Sequence, residues 1–222
     1  MATPEQIEKW NEELRGKSPY AIAKWAVAYG EGTTLVSTNF RPYEAVILHI
    51  CTQAQPDMKV LWMDSGWNRP ATYRHAHEVI EKLKLNVEIY APKITMAHWN
   101  ALHGEKIPVP DDGDSFKQFS YETKLEPFQR GMKELAPRVW ITGLRRVQNP
   151  NRASLDIVAD DPNFNTLKVN PAFNMTDSDM EAYLKDHNLP NEWDYFDPVK
   201  ADEKRECGLH VSPSAPATGS GL

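Results

Sequence analysis

The chain has 222 residues, 41% of them hydrophobic, and carries 25 Lys and Arg against 31 Asp and Glu for a net charge of -6. That length suits one α/β domain and a short tail, at roughly 100 to 200 residues per domain, and the apolar share fills a core, which excludes wholesale disorder. The acidic balance excludes a general nucleic-acid surface, which needs clustered Lys and Arg; a small anion needs only a local basic pocket. There is no run of about 18 apolar residues, and the first ten residues lack the charged and apolar regions of a signal peptide, so the expectation is a cytoplasmic protein without membrane contact. The two cysteines, Cys51 and Cys207, argue against a disulfide framework; thiol chemistry here needs one cysteine or an outside partner.

In chain order, Ser18 then Pro19 open a helix over residues 18–29, with Ile22, Trp25 and Ala26 on one stripe. An apolar run at 33–37 reads as a strand, followed by a polar turn and a helix over about 42–53. The pattern repeats as strand 59–63, loop 64–70, helix 72–83 and strand 86–90, then helix 124–135 leads into strand 138–142. Such alternation implies parallel strands joined by right-handed crossovers, an open and mainly parallel twisted α/β sheet flanked by helices. Ligands of such sheets lie beyond the carboxyl ends of the strands, so the loops at Ser37, Asp64 and Gly143 should face one crevice. Residues 155–159 and 166–169 flank a turn-rich insert and suggest a hairpin. Thr176 with Asp179 resembles a capping box before a helix to about His187. The expected organisation is a catalytic domain over 1–206 and a tail over 207–222, disordered beyond His210, where the sequence is small, polar and Pro-rich.

Several positions could carry chemistry. Ser37, Thr38, Asn39, Phe40 and Arg41 lie between a strand and a helix start, where free backbone amides and the helix dipole favour an anion; simple capping is the other reading. Asp64, Ser65 and Gly66 end the second strand and put a carboxylate, a hydroxyl and a flexible turn at the crevice edge, with Trp67 able to stack on a base; an ordinary turn capping the next helix is the reading that local turn chemistry favours. Gly143, Arg145, Arg146, Gln148 and Arg152 follow a buried strand with few local acids, and planar guanidinium groups match phosphate and sulfate oxygens; solvated surface arginines are the other reading. Cys207 stands among Lys204, Arg205 and His210, company that raises the thiolate fraction, whereas Cys51 lies in an apolar helix and reads as structural. Two distant cysteines supply neither a structural zinc site nor an iron–sulfur cluster, so no metal is expected.

Together these motifs resemble the 3'-phosphoadenylyl-sulfate (PAPS) reductases of the adenine-nucleotide alpha hydrolase-like fold, over about residues 33–210. The resemblance rests on Glu206-Cys207-Gly208-Leu209-His210, on Lys124-Leu125-Glu126-Pro127, on Thr142-Gly143-Leu144-Arg145-Arg146 with Gln148 and Arg152, and on Asp64-Ser65-Gly66 followed by Pro70-Ala71-Thr72-Tyr73. It implies that the Ser37 loop binds the nucleotide, that Lys124, Arg145, Arg146 and Arg152 line the anionic site, and that Cys207 attacks sulfur from a flexible tail. It implies a Cys-S-sulfonate resolved by thioredoxin or glutaredoxin, no bound cofactor, and a homodimer. Related adenylyl-sulfate (APS) reductases typically carry a cysteine pair where this chain has Phe119 and Ser120, which implies no cluster and PAPS as substrate. The chain also departs from the family, with Arg41 and Pro42 where a glycine usually follows the phenylalanine of the first loop. Competing readings are a cluster-free APS reductase, a non-catalytic nucleotide-binding protein, and a sulfurtransferase or ATP pyrophosphatase, which would need a glycine-rich loop that residues 37–41 lack.

Overall fold

The structure, a computed structural model, describes residues 2–148, 150, 152 and 155–199. Six strands form one sheet in the order β3-β2-β1-β4-β6-β5: β1 is Thr34–Thr38, β2 Lys59–Met63, β3 Asn86–Tyr90, β4 Val139–Ile141, β5 Val158–Asp161 and β6 Thr166–Val169. All neighbours are parallel except the β5/β6 hairpin, whose β5 runs antiparallel along one edge. Strand order reverses at β1, since β2 and β3 lie on one side of it and β4 on the other. The crevice between the carboxyl ends of β1 and β4 is therefore the topological switch point at which ligands of such sheets bind.

Alternation along the central strands divides the core in two. Val36, Val60, Trp62, Val139 and Ile141 face one side, where α2 (Pro19–Gly30), α3 (Glu44–Ala54) and α4 (Pro70–Leu83) cover them. Leu35, Leu61, Met63 and Trp140 face the other, against Phe128 and Met132 of α7 (Glu126–Leu135). The central strands β2 and β4 carry near-continuous apolar runs, as strands buried on both faces do, and the sequence marks them for that reason.

Three helices were not anticipated. The first, α1 (Pro4–Leu14), is opened by Thr3 and Gln6 in a capping box, and its Asn11 side chain holds the backbone of edge-strand residue Val158 through two hydrogen bonds of 2.9 and 2.8 Å. The others are α5 (Met96–His103) and α6 (Asp114–Ser120). A last helix, α8 (Asp177–Asp186), has the expected Thr176–Asp179 capping box.

Two helix starts differ from expectation. The first half-turn of the helix expected at 124 is a π-helical turn, Tyr121–Leu125, tightened by the Thr123 hydroxyl donating to Phe119 O at 2.6 Å. The helix expected at Pro42 begins at Glu44, because Tyr43 is left-handed at φ 71°. The expected strand at 155–159 lies at Val158–Asp161. Among the described residues no helix is long and apolar enough to cross a membrane.

Candidate functional site

The first loop is organised around a carboxylate that the sequence did not single out. Glu44, the first residue of α3, accepts hydrogen bonds from the Thr38 hydroxyl at 2.6 Å, the Asn39 amide at 2.9 Å and Arg41 Nε at 2.9 Å. Phe40 N donates to the Thr38 hydroxyl at 3.0 Å, and Tyr43 N donates to Asn191 Oδ1 at 2.8 Å. The free-amide cradle expected for this loop is therefore not what the chain presents: its own carboxylate and side chains take these donors. Arg41 also spans the switch point, with a terminal nitrogen 3.4 Å from Gly143 O. Ser37 is half-buried; its hydroxyl accepts from Trp140 Nε1 at 2.8 Å and keeps its own proton to donate.

At the end of β2, Asp64 is a turn-former first. Its Oδ1 accepts from Gly66 N at 3.0 Å, Asn68 Nδ2 at 2.8 Å and the Tyr73 hydroxyl at 2.9 Å, while Ser65 Oγ accepts from Trp67 N at 3.2 Å. Gly66 supplies the left-handed φ of 80° that this turn requires. Partial burial, reinforced by the Asp64 charge, pushes the Tyr73 phenol up to about 12. Trp67 is not placed to stack on a base: it is buried edge-on against Phe119, in a cluster with Trp99, Phe116 and Val199.

The arginines after β4 separate into different roles. Arg145, expected to find few acids, is paired with Asp177 of α8 at 2.7 Å, donates to Met175 O at 3.3 Å and lies over the Tyr43 ring at 5.2 Å. The acid is 32 residues away in sequence, so local composition gave no sign of it. Only 3% of Arg145 is exposed, and its Nε has no hydrogen-bond partner among the described residues. Gln148 Oε1 accepts from Arg145 N at 3.1 Å and from the buried Arg152, which ties the loop together. Arg146 is exposed and lies over the Phe173 ring at 5.0 Å.

Lys124 stands on the π-helical turn, with only 2% of its side chain exposed, and is paired with Asp197. Asp197 belongs to a strap without regular secondary structure over residues 190–199, whose contacts lie beyond the ends of β1 and β2. Along it, Asn191 accepts from Tyr43, Thr72 Oγ1 donates to Asp194 O at 3.2 Å, the Tyr195 hydroxyl meets the Asn39 amide at 2.9 Å, and Val199 enters the Trp67 cluster. Glu44, Asp197 and Tyr195 were missed in the sequence; only Glu44, three residues after Arg41, had a local signal.

Ser37, Thr38, Asn39, Arg41, Gly143 and Lys124 are thus brought to the carboxyl ends of the strands, while Phe40, 1% exposed, is a core residue beneath them. Lys204, Arg205, Cys207 and His210 lie outside the described residues. Cys51 is fully buried, and burial pushes its thiol far above the usual range, so it supplies no thiolate. Among the described residues no group of three or more His, Cys, Asp and Glu is arranged to hold a metal ion.

Comparison with known proteins adds a family. The profile described as "Phosphoadenosine phosphosulfate reductase domain" matches residues 33–193. The chain is 32% identical to a phosphoadenosine 5'-phosphosulfate reductase of Synechococcus sp., over 90% of this chain and 95% of that one. It is also 32% identical to one of Xanthomonas euvesicatoria pv. vesicatoria, over 93% of each. Its fold matches the crystal structure of a PAPS reductase from Candida auris in a phosphate complex, with a TM-score of 0.75, 24% identity and coverage of 86% of this chain and 90% of that one.

Proposed function

The chain belongs to the phosphoadenosine phosphosulfate reductase family, and from that premise we propose that it reduces 3'-phosphoadenylyl sulfate to sulfite and adenosine 3',5'-bisphosphate. The observation that carries this reading is the family match over 33–193, which spans both loops of the switch-point crevice and Lys124.

Cys207 is the nucleophile in this reading. Its neighbours Lys204, Arg205 and His210 favour the thiolate, and the other cysteine is too deeply buried to compete. The thiolate attacks the sulfur of the substrate; the S–O bond to the phosphate breaks and adenosine 3',5'-bisphosphate leaves with that electron pair. The enzyme then holds a Cys-S-sulfonate. A thiol of thioredoxin or glutaredoxin attacks Cys207 Sγ and expels sulfite; a second donor thiol then closes the donor's disulfide and returns Cys207 to the thiol state. Two thiols are oxidised for each sulfonate reduced to sulfite, so the electrons balance.

Substrate contacts fall to the Ser37 hydroxyl, the Arg41 guanidinium, Lys124, Arg146 and Arg152, with Thr38 and Asn39 holding the first loop through Glu44, Asp64, Ser65 and Gly66 shaping the wall, and Arg145 and Gln148 holding the second loop. A reading without an iron–sulfur cluster is supported by Phe119 and Ser120, which offer no thiolate; Phe119 fills its space against Trp67 and Trp99.

The test is sulfite release from PAPS and from APS with thioredoxin and a dithiol supplied, comparing the native chain with Cys207→Ser. Sulfite from PAPS that disappears in Cys207→Ser is the expected result. Turnover of APS alone would replace the substrate, and turnover by Cys207→Ser would overturn the nucleophile.

A further inference from the structure

Four backbone amides of the first loop are already engaged within the chain, which bears on which group of that loop can meet an anion. The amides of Asn39, Phe40, Tyr43 and Glu44 donate to Glu44 Oε2, Thr38 Oγ1, Asn191 Oδ1 and Arg41 O, and Pro42 has no N–H. With the Asn39 amide turned to accept from Tyr195, its nitrogen also faces Glu44, at 3.2 and 3.3 Å from the two carboxylate oxygens. Glu44 therefore fills the loop as a built-in anion at the start of α3, where the helix dipole favours it.

What the loop turns toward the crevice is Arg41. Its side chain is 26% exposed, against 10% for Glu44, and bridges from Glu44 Oε1 at 2.9 Å to Gly143 O at 3.4 Å, across the gap between β1 and β4. Phe40 and Tyr43, on either side of Arg41 and Pro42, are both left-handed without being glycine, at φ 53° and 71°. Such conformations persist only where surrounding contacts over-determine them, and they gather at ligand sites. Here the contacts are the Glu44 hydrogen bonds and Asn191.

We propose that Glu44 is a positioning residue: it fixes the Arg41 guanidinium at the switch point so that this side chain, in place of the loop's backbone amides, receives an anionic group of the nucleotide substrate. This rests on the nucleotide-binding reading above and adds a residue that acts through Arg41. A guanidinium held at Nε by a carboxylate keeps its plane fixed and can meet a phosphate or sulfonate edge in a bidentate way, which a lysine could not reproduce.

The experiment measures binding of adenosine 3',5'-bisphosphate by calorimetry for the full chain, Arg41→Ala, Glu44→Gln and the double variant, with melting temperatures taken in parallel. The Glu44→Gln change keeps an acceptor for Thr38 and Asn39 while removing the charge that orients Arg41. Arg41→Ala should weaken binding roughly tenfold or more and Glu44→Gln about fivefold, as expected for charge-assisted contacts. In the Arg41→Ala background the Glu44→Gln change should alter binding by less than about twofold, since its effect runs through Arg41. Added guanidinium ion should partly restore binding to Arg41→Ala but not to the double variant, an effect that a purely structural role for Glu44 would not produce. Native affinity in Arg41→Ala, or an equal Glu44→Gln effect in both backgrounds, would overturn the proposal while leaving the reductase reading intact. A native chain that releases no sulfite and binds no nucleotide would overturn the reductase reading, and this proposal with it.

Discussion

The buried pair of Lys124 and Asp197 gives the sharpest stability prediction. The side chain of Lys124 is 2% exposed and that of Asp197 10%, so Lys124→Met leaves a nearly dry carboxylate whose remaining partner among the described residues is Val199 N at 3.1 Å. Removing one member of a buried pair costs about 3 to 5 kcal/mol, because the other charge is left uncompensated. The strap sets a ceiling on that cost, since it can detach instead. Hydrogen bonds from Tyr43 to Asn191, from Thr72 to Asp194 and between Asn39 and Tyr195 hold it, at a net value of about 1 kcal/mol each. Burial of Val199 adds about 1.5 to 3 kcal/mol, and the exposed Arg69–Asp194 pair adds little. The resulting ceiling of about 4.5 to 6 kcal/mol lies near or above the cost of the broken pair, so the loss stays at about 3 to 5 kcal/mol. At about 2 to 4 °C per kcal/mol for a chain of this size, the low end of that range corresponds to a melting temperature lowered by about 6 to 12 °C. Replacing both partners, Lys124→Met with Asp197→Leu, should recover most of the loss, because an apolar pair carries no desolvation penalty. Urea unfolding of both singles and the double gives the coupling, expected to exceed about 2 kcal/mol. Singles that each cost under about 0.5 kcal/mol, with a double equal to their sum, would refute the argument.

Thiol titration checks the division between the cysteines: native protein should show one fast-reacting thiol and denatured protein two, while Cys207→Ser should show none until unfolded. A fast thiol in native Cys207→Ser would contradict the burial of Cys51. Acid stability provides the second check, because burial holds both His49 and His75 below the usual 6.5, with the charge of His187 adding to the effect on His49. The folded state thus binds fewer protons than the unfolded chain below about pH 6.5. The stability these histidines contribute is present above that pH and is lost as pH falls through their lowered values. Urea midpoints measured from neutral pH downward should decline from about pH 6.5, and a flat profile for the native chain would count against it.

Elements whose cause is local were legible in the sequence. The strands at Lys59–Met63 and Asn86–Tyr90 were read to the residue, as were the Thr176 capping box and the Ser18–Pro19 helix start, because runs, caps and turns depend on a few neighbouring residues. The helix α1 carried the same kind of signal in Thr3, Pro4 and Gln6 and was still passed over. The start of α3 was misplaced for a different reason: Tyr43 is held left-handed by Asn191, 148 residues further on.

The residue pattern alone revealed the alternating α/β order, the place of the three loops at the carboxyl ends of neighbouring strands, the family, and the contrast between an apolar Cys51 and a Cys207 in basic company. How the charges at the strand ends are held became visible from the folded chain. Arg145 meets Asp177 across 32 residues, Lys124 meets Asp197 across 73, and Arg41 reaches Gly143 across 102. The physical reason is that periodicity and capping report on forces acting within a few residues, whereas a buried cation is stable only beside a compensating acceptor. Which acceptor that is depends on where the chain returns, and no local pattern encodes it.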